Sequence, residues 1–544
     1  MNARNRFDWL SSIQVGLIAG IVALLVSLVG LLEAANRRPI IPGILSMGQT
    51  ILLLMFVFAA FMAVRRIGDQ EGKPSRLSLV VGGALAGLIV SALLAVLVLI
   101  GGAVDLRQVF ANASPDLYSL LTFGRQGSTG LIVLLLVGTG VAALVALLLA
   151  LPPRLGRGIL LGLGLIPLIA ILNSALFAGR GVSLWVAIII FVVTAVAGYF
   201  WDVVQDRFKA RTSNLSPRGQ QTMQWGRWAL LGVIVLLLPL LGSYPSEVLN
   251  EVSRYVLMGL GLNIVVGFAG LLSLGHVAFF AIGAYTMGVL TSPEIGWLPF
   301  HLTFWQALPF AVLLATLFGI ILGVPVLGMR GDYLAIVTLG FGEIIQRLAI
   351  SDWLKPYIGG SNGITLIPEA VVGPLELKTP QTLYYLFLAG CVLAAFISQR
   401  VKISRLGRAW MAVREDEDVA EAMGINLVRT KLLAFATGAA FAGLSGAIFA
   451  SKLTSIYPHS FQLMISINVL CLVIVGGMGN IPGVIVGGLA LIGLPEILRE
   501  FAEYRLLIYG VALVLMMLLR PEGLLPEERR RLELHEAEAI VGGE

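Results

Sequence analysis

Long apolar runs are the feature of this chain that most constrains its fold. Segments of about 18 or more consecutive apolar residues recur along the sequence, and such runs are long enough to cross a bilayer as helices. Charged residues make up 12% of the 544 residues, compared with roughly 25% in a typical soluble domain. A soluble core cannot absorb so much apolar surface, and the short alternating strands of a membrane barrel are not visible. The sequence therefore predicts an all-α, polytopic integral membrane protein.

The spacing of the apolar runs predicts about 16 transmembrane segments, the last of them near 505–520. One polar loop, residues 202–227, interrupts the pattern and is the best internal boundary. It predicts an N-terminal extension of about six transmembrane helices in residues 1–227. A second membrane domain follows in 228–521, and the polar residues 522–544 form a tail.

The distribution of Lys and Arg among the loops predicts the orientation of the chain. Basic residues are concentrated in loops 65–76, 202–227 and 400–431 and in the tail, whereas the alternate loops hold few. Loops rich in Lys and Arg stay in the cytoplasm. The pattern predicts that both termini are cytoplasmic and gives no indication of a nucleic-acid site.

The residue types that carry catalysis or metal binding are sparse. The two cysteines, Cys391 and Cys471, lie inside apolar runs, and the four histidines never approach the spacing of metal ligands. No phosphate-binding loop of the GxxxxGK[ST] type occurs. The sequence predicts no cofactor, no metal and no enzymatic activity on this chain.

Several motifs of the second half are specific enough to indicate a family. In order, they are Gly267–Tyr285 (GFAGLLSLGHVAFFAIGAY), Arg330–Glu343 (RGDYLAIVTLGFGE), Gly359–Ile364, Gly407–Glu417, Ala422–Ile425, Gly476–Gly483 and Arg520–Gly523. This series resembles the LivM-type permease of branched-chain amino-acid ABC importers. The resemblance covers about residues 250–525, and the first 240 residues depart from it.

The resemblance implies an ABC-importer permease fold in residues 228–521 and a function in importing leucine, isoleucine and valine. It also implies a second, LivH-like permease subunit, two cytoplasmic ATP-binding subunits and an external substrate-binding protein around this lipid-embedded chain. Urea or another small amide is an alternative substrate within the family. An ion-coupled secondary transporter would need paired acidic residues in its spans, and a membrane enzyme would need clustered catalytic residues at one depth.

Two glycine-rich interruptions of the apolar runs predict a translocation path. Backbone groups freed by a broken helix at membrane depth must line a cavity or pack against protein, and paired interruptions mark the path in many permeases. Tight packing of helices through small residues is the alternative, and for His276 a packed or hydrogen-bonded histidine is the alternative. The predicted path residues are Gly270, Ser273, His276, Glu343, Gly477 and Asn480.

The acidic residue Glu343 lies in the middle of a predicted span, with Gln346 on the same face. An ionisable group inside a span is costly and usually faces a cavity or a partner. The sequence leaves two interpretations open, a residue that lines the path and a structural pair.

Residues 400–431 predict a docking element on the cytoplasmic side. Leu406, Trp410 and Val413 form an apolar stripe at helical spacing, acidic residues suit the start of a second short helix, and Gly424 is placed to end it. This resembles the coupling segment that ABC permeases press into their ATPase, and the alternative is an ordinary solvated loop. The predicted coupling residues are Arg408, Trp410, Arg414, Glu421, Ala422 and Gly424.

Overall fold

A computed structural model describes residues 9–36, 38–68, 75–151, 153–177, 182–213, 232–295, 299–326, 328–329, 331–373, 375–497, 510, 514 and 523–526. The chain forms two compact units, residues 1–229 with 500–504 and residues 230–499 with 505–544. Much of the predicted boundary loop, residues 214–227, lies outside the described residues, and the domain limits from the sequence stay predictions.

The prediction of an all-α, polytopic membrane protein is confirmed. Among the described residues, ten helices are long and apolar enough to cross a membrane, and five shorter apolar helices accompany them. The predicted segment near 505–520 lies outside the described residues except for Gly510 and Val514. The count of about 16 segments therefore stays a prediction.

The first unit consists of helices and one two-stranded sheet, in which β1 pairs antiparallel with β2. Side chains that accept from backbone N–H groups cap several helices, as Ser75 does for α4 and Ser114 for α5. Helices α4 and α6 approach so closely at Gly87 that a Cβ on this residue would lie 2.3 Å from that of Ala142. The elements are α1 Trp9–Val29, α2 Leu31–Asn36, β1 Pro39–Ile41, β2 Leu45–Ser46, α3 Met47–Gly68, α4 Arg76–Ala103, α5 Pro115–Leu121, α6 Gly127–Ala150, α7 Pro153–Phe177 and α8 Leu184–Ser213.

The second unit is also helical, with one short antiparallel hairpin of β3 and β4. Its elements are α9 Gly232–Leu241, α10 Ser243–Leu262, α11 His276–Thr291, α12 Phe304–Val326, α13 Asp332–Ile350, α14 Lys355–Ile358, β3 Val371–Val372, β4 Leu375–Glu376, α15 Pro380–Ile403, α16 Arg405–Glu415, α17 Glu417–Ala422, α18 Leu427–Leu453, α19 Leu463–Gly476, α20 Ile481–Gly488 and α21 Leu494–Ile497.

Helices α10, α11 and α18 supply much of the core of the second unit. Glycines allow the backbones of α11 and α18 to come together. A Cβ on Gly283 would lie only 2.2 Å from the carbonyl oxygen of Gly443, so a larger residue would not fit there. In the same way, a Cβ on Gly446 would lie 2.0 Å from the carbonyl oxygen of Phe280. Close backbone approach of this kind is how helices associate where water supplies no hydrophobic driving force. The three helices form a tight frame for the broken segments described next.

Candidate functional site

The first predicted interruption is a break between α10 and α11. Helix α10 continues into a π-helical turn, Asn263–Phe268, and α11 begins at His276 after seven irregular residues. The freed backbone of this break is satisfied by protein hydroxyls: the Leu274 N–H donates to Thr338 Oγ1 at 3.0 Å, and the Val277 N–H donates to Ser466 Oγ at 2.9 Å. The break therefore packs against α13 and α19.

Two polar side chains of this break are enclosed by protein. Ser273 and His276 are each 1% exposed, and neither makes a hydrogen bond of normal geometry with the described residues. The imidazole meets the ring of Phe279 edge-on, with centroids 5.8 Å apart. Buried polar groups without partners are uncommon, and here they occupy two positions predicted for the path.

The second interruption separates α19 from α20. Gly477 has a φ of +114°, and a Cβ there would lie 2.3 Å from the carbonyl oxygen of Leu525. The side-chain amide of Asn480 donates to the same carbonyl at 2.8 Å. These two predicted path residues therefore contact the segment 523–526, an arrangement that the sequence did not predict.

The two interruptions meet each other directly. The Gly479 N–H donates to Asn263 Oδ1 at 2.8 Å, in buried surroundings. Gly267, in the first interruption, packs against the second, because a Cβ on it would be 2.6 Å from the Gly479 nitrogen. The pairing of broken segments that the sequence predicted is thus a direct contact, although Asn263 itself was not among the predicted residues.

Glu343 lies on α13, which is the least enclosed of the long apolar helices of the second unit. Only 28% of the apolar stretch of that helix is buried, and Ile344, which follows Glu343 in the sequence, is 56% exposed. Glu343 is partly exposed and forms no ion pair with any residue that the structure describes. The structural-pair interpretation therefore finds no support within the described chain.

The predicted docking segment forms two short helices, α16 and α17. The Ser404 hydroxyl caps α16 by accepting from the Gly407 N–H, and Asp416 caps α17 by accepting from the N–H groups of Asp418 and Val419. Gly424 has a φ of +87° directly after α17. A Cβ on Gly424 would have open space around it, so the backbone conformation, not crowding, favours glycine there.

The apolar stripe of α16 faces the interior of the chain. Trp410 is 0% exposed and Val413 is 3% exposed, and the Trp410 indole N–H donates to the Thr430 carbonyl at 2.7 Å. An indole whose ring is buried and whose N–H already donates within the chain presents no surface to a partner subunit in this conformation. Trp410 and Val413 therefore pack within the chain, and docking of this segment on an ATPase stays a prediction.

A different apolar pair is exposed on the segment. Val419 is 59% exposed and Met423 is 79% exposed, and both flank the exposed residues Glu421 and Ala422. Val419 and Met423 stand four residues apart, the spacing that places side chains on one helical face. This pair, which we call the α17 face, escaped the sequence analysis because the period of the more hydrophobic α16 stripe dominates the segment.

Two basic side chains join this part of the chain to the breaks. Arg414 Nη1 donates to the Gly267 carbonyl at 2.6 Å, and Lys402 Nζ donates to the Gly479 carbonyl at 2.9 Å. The predicted coupling residue Arg408 is exposed and instead donates locally, to the carbonyl of Ile403. Lys402 was not predicted, because a bond to a backbone carbonyl 77 residues away leaves no pattern in the sequence.

Comparison with known proteins agrees with this architecture. A sequence model of the family described as "Branched-chain amino acid transport system / permease component" matches residues 244–519. The high-affinity branched-chain amino acid transport system permease protein LivM of Salmonella typhimurium is 37% identical over 382 residues, covering 64% of this chain and 88% of that protein. LivM of Escherichia coli is 42% identical over 303 residues, 52% of this chain and 69% of that protein. LivH of Escherichia coli is 29% identical over 297 residues, 50% of this chain and 91% of that protein. No solved structure matches with significance.

Broken apolar helices that contact one another, joined by hydrogen bonds to a short polar helical segment, define a multi-pass membrane permease component. The matched segment spans both breaks and the docking segment. The chain belongs to the family of branched-chain amino acid transport system permease components, of the LivM type.

Proposed function

We propose that this chain is the LivM-type membrane subunit of an ABC importer for leucine, isoleucine and valine. The names of its relatives specify branched-chain amino acids, which favours these substrates over urea or another small amide. Its partners are a second, LivH-like permease, two ATP-binding subunits and an external substrate-binding protein. The N-terminal helices in residues 1–227 are an extension to the permease domain in 228–521.

The proposed orientation places loops 65–76, 202–227 and 400–431, together with both termini, in the cytoplasm. The basic residues of these loops support that assignment. It puts α16 and α17 on the side where ATP is available.

The observation that carries the proposal is the α17 face beside a rigidly anchored α16. Val419 and Met423 lie 59% and 79% exposed on a segment that the proposed orientation puts in water, not lipid. Paired exposed apolar residues on a short helix are a frequent anchor for a groove on a partner. Lys431 ties the segment to the membrane part of the chain through an ion pair with Glu417 at 2.8 Å, where the lysine is 2% exposed.

In the proposed mechanism, closure of the ATPases on ATP moves the docking segment, and the second unit alternates between two access states. The path runs between the two permease subunits. Glu343 lines that path in this proposal. A partly exposed carboxylate on an apolar helix needs a polar partner or water, and the path would supply them. Ser273 and His276 belong to the break behind α13 that must rearrange as the path opens.

Reconstitution tests the assignment directly. The chain is incorporated into proteoliposomes with its LivH-like partner, the ATPases and the binding protein. We expect ATP-dependent uptake of radiolabelled leucine that unlabelled isoleucine and valine suppress and that urea does not. Uptake of urea, or uptake driven by an ion gradient without ATP, would contradict the proposal.

Substitution of Met423 by Asp tests the docking face. A charge at the centre of an apolar contact is expected to weaken ATPase association by about 30-fold, or about 2 kcal/mol. Titration of the detergent-solubilised permease pair with ATPase measures this change. Leu366→Asp, at a residue that is 67% exposed but lies outside the docking segment, is the matched control and is expected to leave association unchanged. Equal affinities for the two variants would exclude the α17 face.

A further inference from the structure

We propose that Arg414 and Lys402 are positioning residues that bind the two helix breaks to the docking segment, so that ATPase movement reaches the translocation path through backbone contacts. The inference rests on the proposed function and names the link that the importer mechanism needs. We call these two side chains with Asn263, Gly267 and Gly479 the break clamp.

The Arg414 contact is closely fitted. Its guanidinium donates to the Gly267 carbonyl at 2.6 Å, in the π-helical turn that extends α10. Its aliphatic stem covers Gly270, where a Cβ would lie 2.7 Å from Arg414 Cγ. Gly270 also has a φ of +71°, which favours glycine. One side chain of α16 therefore both holds the end of α10 and fixes the shape of the loop that follows.

Lys402 holds the second break in the corresponding way. Its ammonium donates to the Gly479 carbonyl at 2.9 Å and lies 5.5 Å from the centroid of the Phe268 ring. The N–H group of Gly479 donates to Asn263 Oδ1 in the first break. Gly479 is thus bonded at its carbonyl to the end of α15 and at its nitrogen to α10, so displacement of either break is transmitted to the other.

The chemistry of these bonds suits a mechanical link. The Gly267 carbonyl lies in the last turn of a helical segment, where carbonyl groups carry uncompensated partial negative charge. At both acceptors, a cationic donor makes a shorter and stronger hydrogen bond than a neutral one. Both acceptors are main-chain atoms, so a shift of the donor displaces the backbone and not a side chain that can rotate away. The π-helical geometry at the clamp is typical of functional positions in helices.

Separate measurements of ATP hydrolysis and uptake test the break clamp. Arg414→Met and Lys402→Met remove the charge and the donors and keep most of the stem. In the reconstituted complex, each is expected to lower leucine transported per ATP hydrolysed by about tenfold. ATPase association is expected to stay within about twofold of the unsubstituted complex, because the α17 face is intact. Arg414→Lys retains the positive charge and a donor nitrogen and should recover part of the coupling.

Arg405→Met is the matched control, because Arg405 is an exposed arginine of the same helix; it should leave the transport ratio unchanged. Amide hydrogen exchange across residues 267–275 should accelerate in Arg414→Met and not in Arg405→Met. An unchanged transport ratio, or a loss of ATPase association in Arg414→Met, would overturn the break clamp. Uptake by the unsubstituted complex in the same liposomes separates these outcomes from failure of the proposed function, which would abolish leucine uptake in that sample too.

Discussion

Replacing Trp410 by Ala is expected to lower the free energy of unfolding of the isolated chain by about 3–5 kcal/mol. The indole is 0% exposed and donates to the Thr430 carbonyl at 2.7 Å. Its loss leaves a cavity and removes one hydrogen bond to a main-chain carbonyl of α18. Thermal or denaturant unfolding of the detergent-solubilised chain, without partners, measures the effect. Trp410→Phe should lower the free energy of unfolding by less, because an aromatic ring still fills most of the space, although the indole hydrogen bond is lost.

Ile403→Ala provides the control for this measurement. Ile403 is an apolar residue near the start of α16 that is 61% exposed, and its truncation should change stability by no more than about 0.5 kcal/mol. A Trp410→Ala chain that keeps full stability but loses its ATPase would restore the view that the α16 stripe is the docking surface. Loss of stability in the isolated chain would instead locate the indole in the core of the permease, as the structure does.

The fold class follows from the sequence because a bilayer imposes strong conditions on composition. Apolar runs long enough to span lipid must become helices, since each backbone group needs an internal partner. The ends of α16 and α17 were also predictable in part. Gly424 after an apolar–acidic stretch is a local signal, and its φ of +87° confirms the helix end that the sequence predicted there.

The direction in which the α16 stripe faces was not predictable from its period. Helical spacing shows that Leu406, Trp410 and Val413 share a face, but it does not say whether that face meets a partner or the same chain. The answer depends on Thr430, whose carbonyl is in place to accept from the indole. Tertiary contacts of this kind leave no pattern in a single sequence.

The glycine-rich breaks illustrate the same limit. Their composition indicates that helices are interrupted, and both interruptions are present in the second unit. What satisfies the freed groups depends on partners far away in sequence, such as Thr338 for Leu274 and Asn263 for Gly479. A glycine can serve a path, a turn or a close approach, and its neighbours in space decide which.

A second charged group, in the N-terminal half and middle of α10, was not predicted from the sequence. Glu251 pairs with Arg254 and accepts from Lys452 at 3.0 Å, and Lys452 also pairs with Glu247 at 2.7 Å. The side chains of Arg254 and Lys452 are 9% and 6% exposed. These pairs join the middle of α10 to the end of α18, whereas Arg414 contacts the π-helical turn that follows α10.

Glu251→Gln is expected to destabilise the chain by about 3 kcal/mol. Removing one partner of a buried ion pair leaves the other charge uncompensated, which costs roughly 3–5 kcal/mol. The lower end applies because the Glu251 side chain is 32% exposed and Lys452 keeps Glu247 as a partner. Unfolding of the detergent-solubilised variant measures the loss.

The control for this prediction is Glu376→Gln. The Glu376 carboxylate lies 2.6 Å from the ammonium of Lys378, whose side chain is 57% exposed. Solvent screens that pair, and no measurable change in stability is expected. The double variant Glu251→Gln with Arg254→Met removes the uncompensated guanidinium as well. It should therefore be more stable than the sum of the two single losses implies. Strict additivity would mean that Arg254 is held by its aromatic neighbours, Tyr255 and Phe449, and not by the carboxylate.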